Sequence, residues 1–220
     1  CFDTTPAGAV SAATVLDSIL GHLKENGASM LRWSGLPTDT PFYRDLMRCL
    51  DRAGLQYEST RATARPLLPA GDAGGFDAEA VRLGGKRMAE FRRRRRRLEE
   101  MGELSVRIHS GAHDAGLWMD DFLELEASGW KGENGTAIAC NGGELAYFKT
   151  LMLEAATRGN ALVCSLDLDG RPIAMTANLR SGDRVWGFKT AYRDELSRYS
   201  PGVLVACETT AHVLENPSIA

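Results

Sequence analysis

Residues 161–191 read ALVCSLDLDGRPIAMTANLRSGDRVWGFKTA. Three runs of strand-forming residues, 161–168, 171–180 and 184–191, are set off by Asp169-Gly170 and by Ser181-Gly182. Asp-Gly is the dipeptide a two-residue hairpin selects, because both central residues need positive φ. Connections this short predict three consecutive antiparallel strands, a meander. On its third strand, alternation puts Trp186, Phe188 and Thr190 on one face and Val185, Gly187 and Lys189 on the other. The chain then passes through YRDELSRYS (192–200) into a helix predicted from Pro201 to about Glu215. Ser200 suits its N-cap and Pro201 its first helical position.

Upstream of the meander, helical spacing predicts helices over 113–128 (Trp118, Phe122 and Leu125 inward) and 143–158 (Leu145, Phe148, Leu151, Met152 and Ala155 inward). A glycine-rich loop, GWKGENGTA (129–137), joins them. A short strand is expected at 104–109. A long basic helix is expected over 77–101, with Met88, Phe91, Leu98 and Met101 as its buried stripe and Arg95 the most covered of its six arginines. The linker is placed at 69–76, PAGDAGGF. The first seventy residues read helix (11–26), strand (29–34), helix (40–53, capped by Thr40 with Pro41 following) and strand (55–65).

The chain has 220 residues and a net charge of −3. Its 44% hydrophobic and 25% charged content is that of a globular protein. No apolar run approaches the ~20 residues a membrane-spanning helix needs. Five widely spaced cysteines without a CxxC pair suit reduced thiols. Cys207 reads as buried core. His109 and His113 lie four apart with Gly111 between them, a poor metal-ligand spacing, so no metal site is expected. Charge is uneven: between Arg82 and Arg97 nine basic residues face one acid, Glu90. Arg92–Arg97 span more than one helical turn and cannot all meet one ligand. The arginines read either as a solvated helix face or as a dock for an anionic partner. Without interleaved aromatics, nucleic acid is not the expected partner.

The phrases FRRRRRRLEEMG (91–102), LEASGWKGENGTA (125–137), LDLDGRPIA (166–174) and FKTAYRDELSRYSPGVLV (188–205) together resemble the FemAB-like branch of the GNAT N-acyltransferases. Many bacterial acetyltransferase domains found beside cellulose and exopolysaccharide genes belong to that branch. The resemblance implies an α/β fold: a GNAT-like mixed, mainly antiparallel sheet flanked by helices, in tandem units. Residues 1–70 would be the back half of a first unit, and 71–220 a second unit incomplete at its C-terminus. It implies an N-acyltransferase with acetyl-CoA or acyl-CoA as co-substrate and no metal. The acceptor would be an amine of a cell-envelope or polysaccharide-related molecule. Fem-like aminoacyl transfer from tRNA, or a non-catalytic scaffold in a polysaccharide complex, are the alternatives. The expected location is cytoplasmic, at or near the inner membrane surface, and the partners through Arg92–Arg97 are an acyl-carrier protein or membrane headgroups.

Site residues follow from the same resemblance and from local chemistry. A helix N-terminus favours anions, so Arg198, Ser200, Gly202 and Val203 are expected to hold the donor's phosphates. Only Gly202 survives of the usual Q/R-x-x-G-x-G/A loop, which leaves carrier protein or aminoacyl-tRNA open as donors. Tyr192 is expected to protonate the leaving thiol, and Lys189 and Glu126 complete the catalytic set, with Asp194 and Glu195 as further base candidates. Trp130 and Lys131 are placed at the acceptor cleft.

Overall fold

The computed structural model describes residues 11–33, 35–60, 85–109 and 111–216, together with 62, 64 and 68. The chain divides into two compact units, Cys1–Leu67 and Leu68–Ala220. The smaller contains α1 (Ala12–Glu25) and α2 (Pro41–Arg52). Ser11 Oγ accepts the Thr14 amide at 3.1 Å and Thr40 Oγ1 that of Tyr43 at 3.3 Å, caps worth about 1 kcal/mol each. Leu16, Leu46 and Cys49 form the core of this unit. The strands expected at 29–34 and 55–65 are not seen: residues 29–33 and 55–60 are irregular and exposed, and the rest of each segment lies partly or wholly outside the described residues. Their β-forming side chains, Met30, Leu31, Trp33 and Tyr57, are all exposed. Strand preference expresses packing against neighbouring strands, and no neighbour is present among the described residues.

The larger unit runs α3 (Gly85–Glu99), β1 (Leu104–His109), α4 (Ala115–Ala127), α5 (Trp130–Glu133), a 3-10 turn (Ile138–Cys140), α6 (Gly142–Thr157), β2 (Ala161–Leu168), β3 (Arg171–Ser181), β4 (Arg184–Tyr192), a second 3-10 turn (Asp194–Tyr199) and α7 (Pro201–Glu215). The sheet has the order β1-β2-β3-β4, and every pair is antiparallel. Asp169 and Gly170 take φ of 50° and 74°, the left-handed pair a two-residue hairpin requires. The second turn sits one residue later than expected. Ser181 pairs with Arg184, so Gly182 and Asp183 make the turn.

Two apolar layers flank the sheet. Trp118 and Phe122 of α4 and Phe148 and Met152 of α6 pack on Val163, Met175 and Ala191, with Phe122 and Phe148 stacked at 5.3 Å. On the opposite face, Leu98 of α3 and Leu204 and Val205 of α7 cover Cys164, Leu166 and Ala174. Cys164 is fully buried, and burial pushes its thiol up to about 11. Cys207 is only half-buried, not the core residue expected of it.

Three local expectations are corrected. The segment 129–137 is not simply a loop: it holds α5, entered through a tight corner. A Cβ on Gly132 would lie 1.9 Å from the Ala127 carbonyl oxygen, so only glycine closes the corner. Strict alternation fails along β4. Ala177 pairs with Lys189 and Asn178 with Gly187, which leaves Phe188 as a bulge. The bulge puts Phe188 and Lys189 both toward α4 and α6, while Thr190 faces α7. Finally, residues 77–84 of the expected basic helix lie outside the described residues, and Arg95 is not the most covered arginine. The Arg94 and Arg95 side chains are 31% and 33% exposed, because Arg94 reaches Ser200 just before α7 and Arg95 reaches Glu208 within it.

Candidate active site

The corner between α4 and α5 brings three predicted residues together. Glu126, in the last turn of α4, has a side chain only 2% exposed. Its Oε1 accepts from Lys131 Nζ at 3.0 Å, and Lys189 Nζ of β4 stands 3.9 Å from the same oxygen. Oε2 accepts from the Ile138 amide at 2.9 Å. A carboxylate this deeply buried is tolerable because both oxygens are occupied by donors. Glu126 therefore acts as an anchor that fixes two ammonium groups; as positioned, it is not a free base. The β4 bulge is what swings Lys189 to this side.

Beside the carboxylate a small cleft opens, lined by Leu125, Lys131, Thr190, Tyr192 and Asp194, with about 30 Å³ of water-accessible space. That is room for a small reacting group, one or two waters in size. Tyr192 ends β4 and lines the cleft, and its ring also lies against the start of α7: a Cβ on Gly202 would sit 2.9 Å from Tyr192 Cδ1. Tyr192 thus contributes to the cleft lining as a residue of β4, while its ring packs on the α7 side of the sheet. Trp130 begins α5, and its side chain lies outside the described residues. Glu195 is exposed and is absent from the cleft lining.

The helix end differs from expectation in three ways. Ser200 does not cap α7: it takes a left-handed conformation, φ 53° and ψ 49°, and its hydroxyl accepts from Arg94 Nη1 instead. The Ser200 and Val203 amides are spent within the turn, on the Ser197 and Ser200 carbonyls at 2.8 and 3.0 Å. Gly202 alone of the three keeps an amide without an acceptor among the described residues. Arg198 lays its guanidinium over the Tyr199 ring at 4.6 Å. Arg94 and Arg95 were not foreseen at this end. Arg94 joins Glu90 to Ser200, and Arg95 bridges Glu99 and Glu208 of α7. No signal in the sequence pairs α3 with α7; only their packing on one sheet face does.

A family model for the acetyltransferase (GNAT) domain matches residues 85–218, well over half the chain. The chain belongs to the GNAT acetyltransferase family. The match covers every element from α3 to α7, so the cleft and helix end both lie inside the GNAT domain, and acyl transfer follows as its general chemistry. GNAT enzymes generally draw the acyl group from acyl-CoA and deliver it to an amine. None of the curated proteins compared matches the chain. Among the described residues no helix of this GNAT protein is long and apolar enough to cross a membrane.

The GNAT domain holds a second polar cluster on the α4 side of β1 and β2. His109 lies 3.2 Å from Ser165 Oγ through Nε2 and 3.4 Å from Asp114 through Nδ1. The order resembles a nucleophile, base and acid, but Ser165 is fully buried in the sheet. Asp167, equally buried, pairs with Arg107. Burial also pushes the Asp121 carboxyl up. His109 links β1 to Ser165 of β2 and to Asp114 at the start of α4, and Arg107 adds a second β1–β2 tie through Asp167.

Proposed function

We propose that this chain transfers an acyl group from a thioester carrier to an amine at the junction marked by Tyr192. The carrying observation is that one residue, Tyr192, belongs to the cleft lining and sets its ring against the N-terminal end of α7. The donor's phosphate lies at the Gly202 amide, where the helix end favours an anion, and its thioester reaches past Tyr192 into the cleft. The acceptor amine attacks the thioester carbonyl carbon. An amine with a lysine-like pKa costs about 5 kcal/mol to hold neutral at pH 7. Asp194 takes the proton, directly or through a water. It lines the cleft and has no ion-pair partner among the described residues. Lys131 and Lys189, held by Glu126, present positive charge to the developing oxyanion. As the C–S bond breaks, Tyr192 donates its hydroxyl proton to the thiolate. The acceptor, in this reading, is a cell-envelope or polysaccharide-related amine, as the FemAB-like resemblance implies.

The test is release of free thiol from acetyl-CoA and a long-chain acyl-CoA with amino-sugar, peptide and sphingoid amines as acceptors. Tyr192→Phe should lower kcat about 100-fold, the usual scale for a lost proton donor, with KM and thermal stability unchanged. Wild-type rates from Tyr192→Phe would remove Tyr192 from the chemistry. No acyl transfer by the intact protein to any amine would favour the scaffold reading.

A further inference from the structure

We infer that the outward face of α3 docks an acidic carrier protein that presents the thioester on a phosphopantetheine arm. The inference rests on the acyl-transfer reading and names its donor. Helix α3 buries Met88 and Leu98 against the rest of the unit. At 100° per residue, Lys86, Arg93, Arg96 and Arg97 fall within about 100° of arc on the opposite side, over a rise of about 17 Å. Arg92 flanks this strip. Arg93 is held by Glu90 at 2.7 Å. Lys86, Arg87, Arg92, Arg96 and Arg97 are exposed and have no ion pair or hydrogen bond with any described residue. Glu90 and Glu100 are the acids on this side. Unpaired like charges at i,i+4, such as Arg92 and Arg96, weaken an isolated helix. An acidic partner relieves that repulsion.

The position of the strip selects the partner. Arg94 and Arg95 point the other way and fasten α3 to Ser200 and to Glu208 of α7. The exposed cations are thereby fixed next to the helix end assigned to the donor. That end is poorly equipped for free coenzyme A, which brings a pyrophosphate and a further phosphate. It offers the Gly202 amide, while those of Ser200 and Val203 are spent. A phosphopantetheine arm attached to a protein carries a single phosphodiester, which one amide and the helix dipole suit. The remaining affinity then comes from the carrier's own acidic surface against the arginines. The outward strip has no large apolar side chain for insertion into a bilayer interface and no aromatic for base stacking.

The experiment titrates a purified acylated acyl-carrier protein, acetyl-CoA and phosphatidylglycerol vesicles into the full chain and into the triple variant Arg92→Glu, Arg96→Glu, Arg97→Glu. The carrier is expected to bind the intact protein, to bind at least tenfold more weakly to the triple variant, and to weaken as salt rises. Acetyl-CoA binding and the melting temperature should be unchanged between the two proteins. Equal carrier binding by both proteins overturns the inference. So does vesicle binding that is lost in the variant without any carrier binding, which would assign the strip to a membrane surface. If the intact protein turns over acetyl-CoA but never binds the carrier, this inference fails and the acyl-transfer reading stands. If it uses neither donor, both fail.

Discussion

Tyr192 and Gly202 depend on each other. The ring stands where a side chain on residue 202 would begin, 2.9 Å from the ideal Cβ position. Gly202→Val should therefore cost roughly 1–3 kcal/mol, as overpacking does, and displace Tyr192 from the cleft. Chemical denaturation measures the first effect and tyrosine-dependent kcat the second. A stable Gly202→Val protein with full kcat would show that the contact has no consequence. Cys164 gives a pH prediction. Its thiol titrates at about 11 in the fold against an ordinary 9.0. Above pH 9 the unfolded chain loses this proton while the folded chain keeps it, so stability falls as pH rises from about 9 to 11, by up to about 3 kcal/mol. Denaturation at pH 8.5 and 10.5 should show a shallower loss in Cys164→Ala, and parallel losses would refute the assignment.

At the scale of elements, the meander was legible and its detail was not. Asp169-Gly170 is a local signal that fixes a hairpin with no help from tertiary structure. The β4 bulge has no such signature, yet it decides that Lys189 faces Glu126. Spacing alone did not bring Glu126, Lys131 and Lys189 together: they meet because the Gly132 corner folds α5 back on α4 and the bulge turns β4. Ser200 looked like a cap by residue type, but its hydroxyl is claimed by an arginine 106 residues upstream, a partner no local rule supplies. The strands read at 29–34 and 55–65 had the right composition and, among the described residues, no neighbour to pair with. Glu126 carries the corner's prediction. Glu126→Ala leaves the Ile138 amide without its acceptor and two lysines without their anion, so it should cost about 2–3 kcal/mol and raise hydrogen exchange at Ile138 ahead of β2 and β3. A loss under about 0.5 kcal/mol would mean that the corner stands without its carboxylate.

Over the whole molecule, two arrangements meet around Tyr192. One face of the sheet carries α4 and α6 with the anchored lysines, and the other carries α3 and α7 with the helix end and its arginines. Tyr192 packs with the second layer and lines the cleft of the first. The first unit, α1 and α2, has a core of its own in Leu16, Leu46 and Cys49. The most direct test is a crystal structure of the chain with a hydrolysis-resistant acyl-pantetheine 4′-phosphate, the fragment common to coenzyme A and carrier-bound donors. The phosphate is expected on the Gly202 amide and the acyl sulfur within hydrogen-bond reach of the Tyr192 hydroxyl. A pantetheine arm bound away from the α7 start, with its sulfur out of reach of Tyr192, would contradict the proposed mechanism.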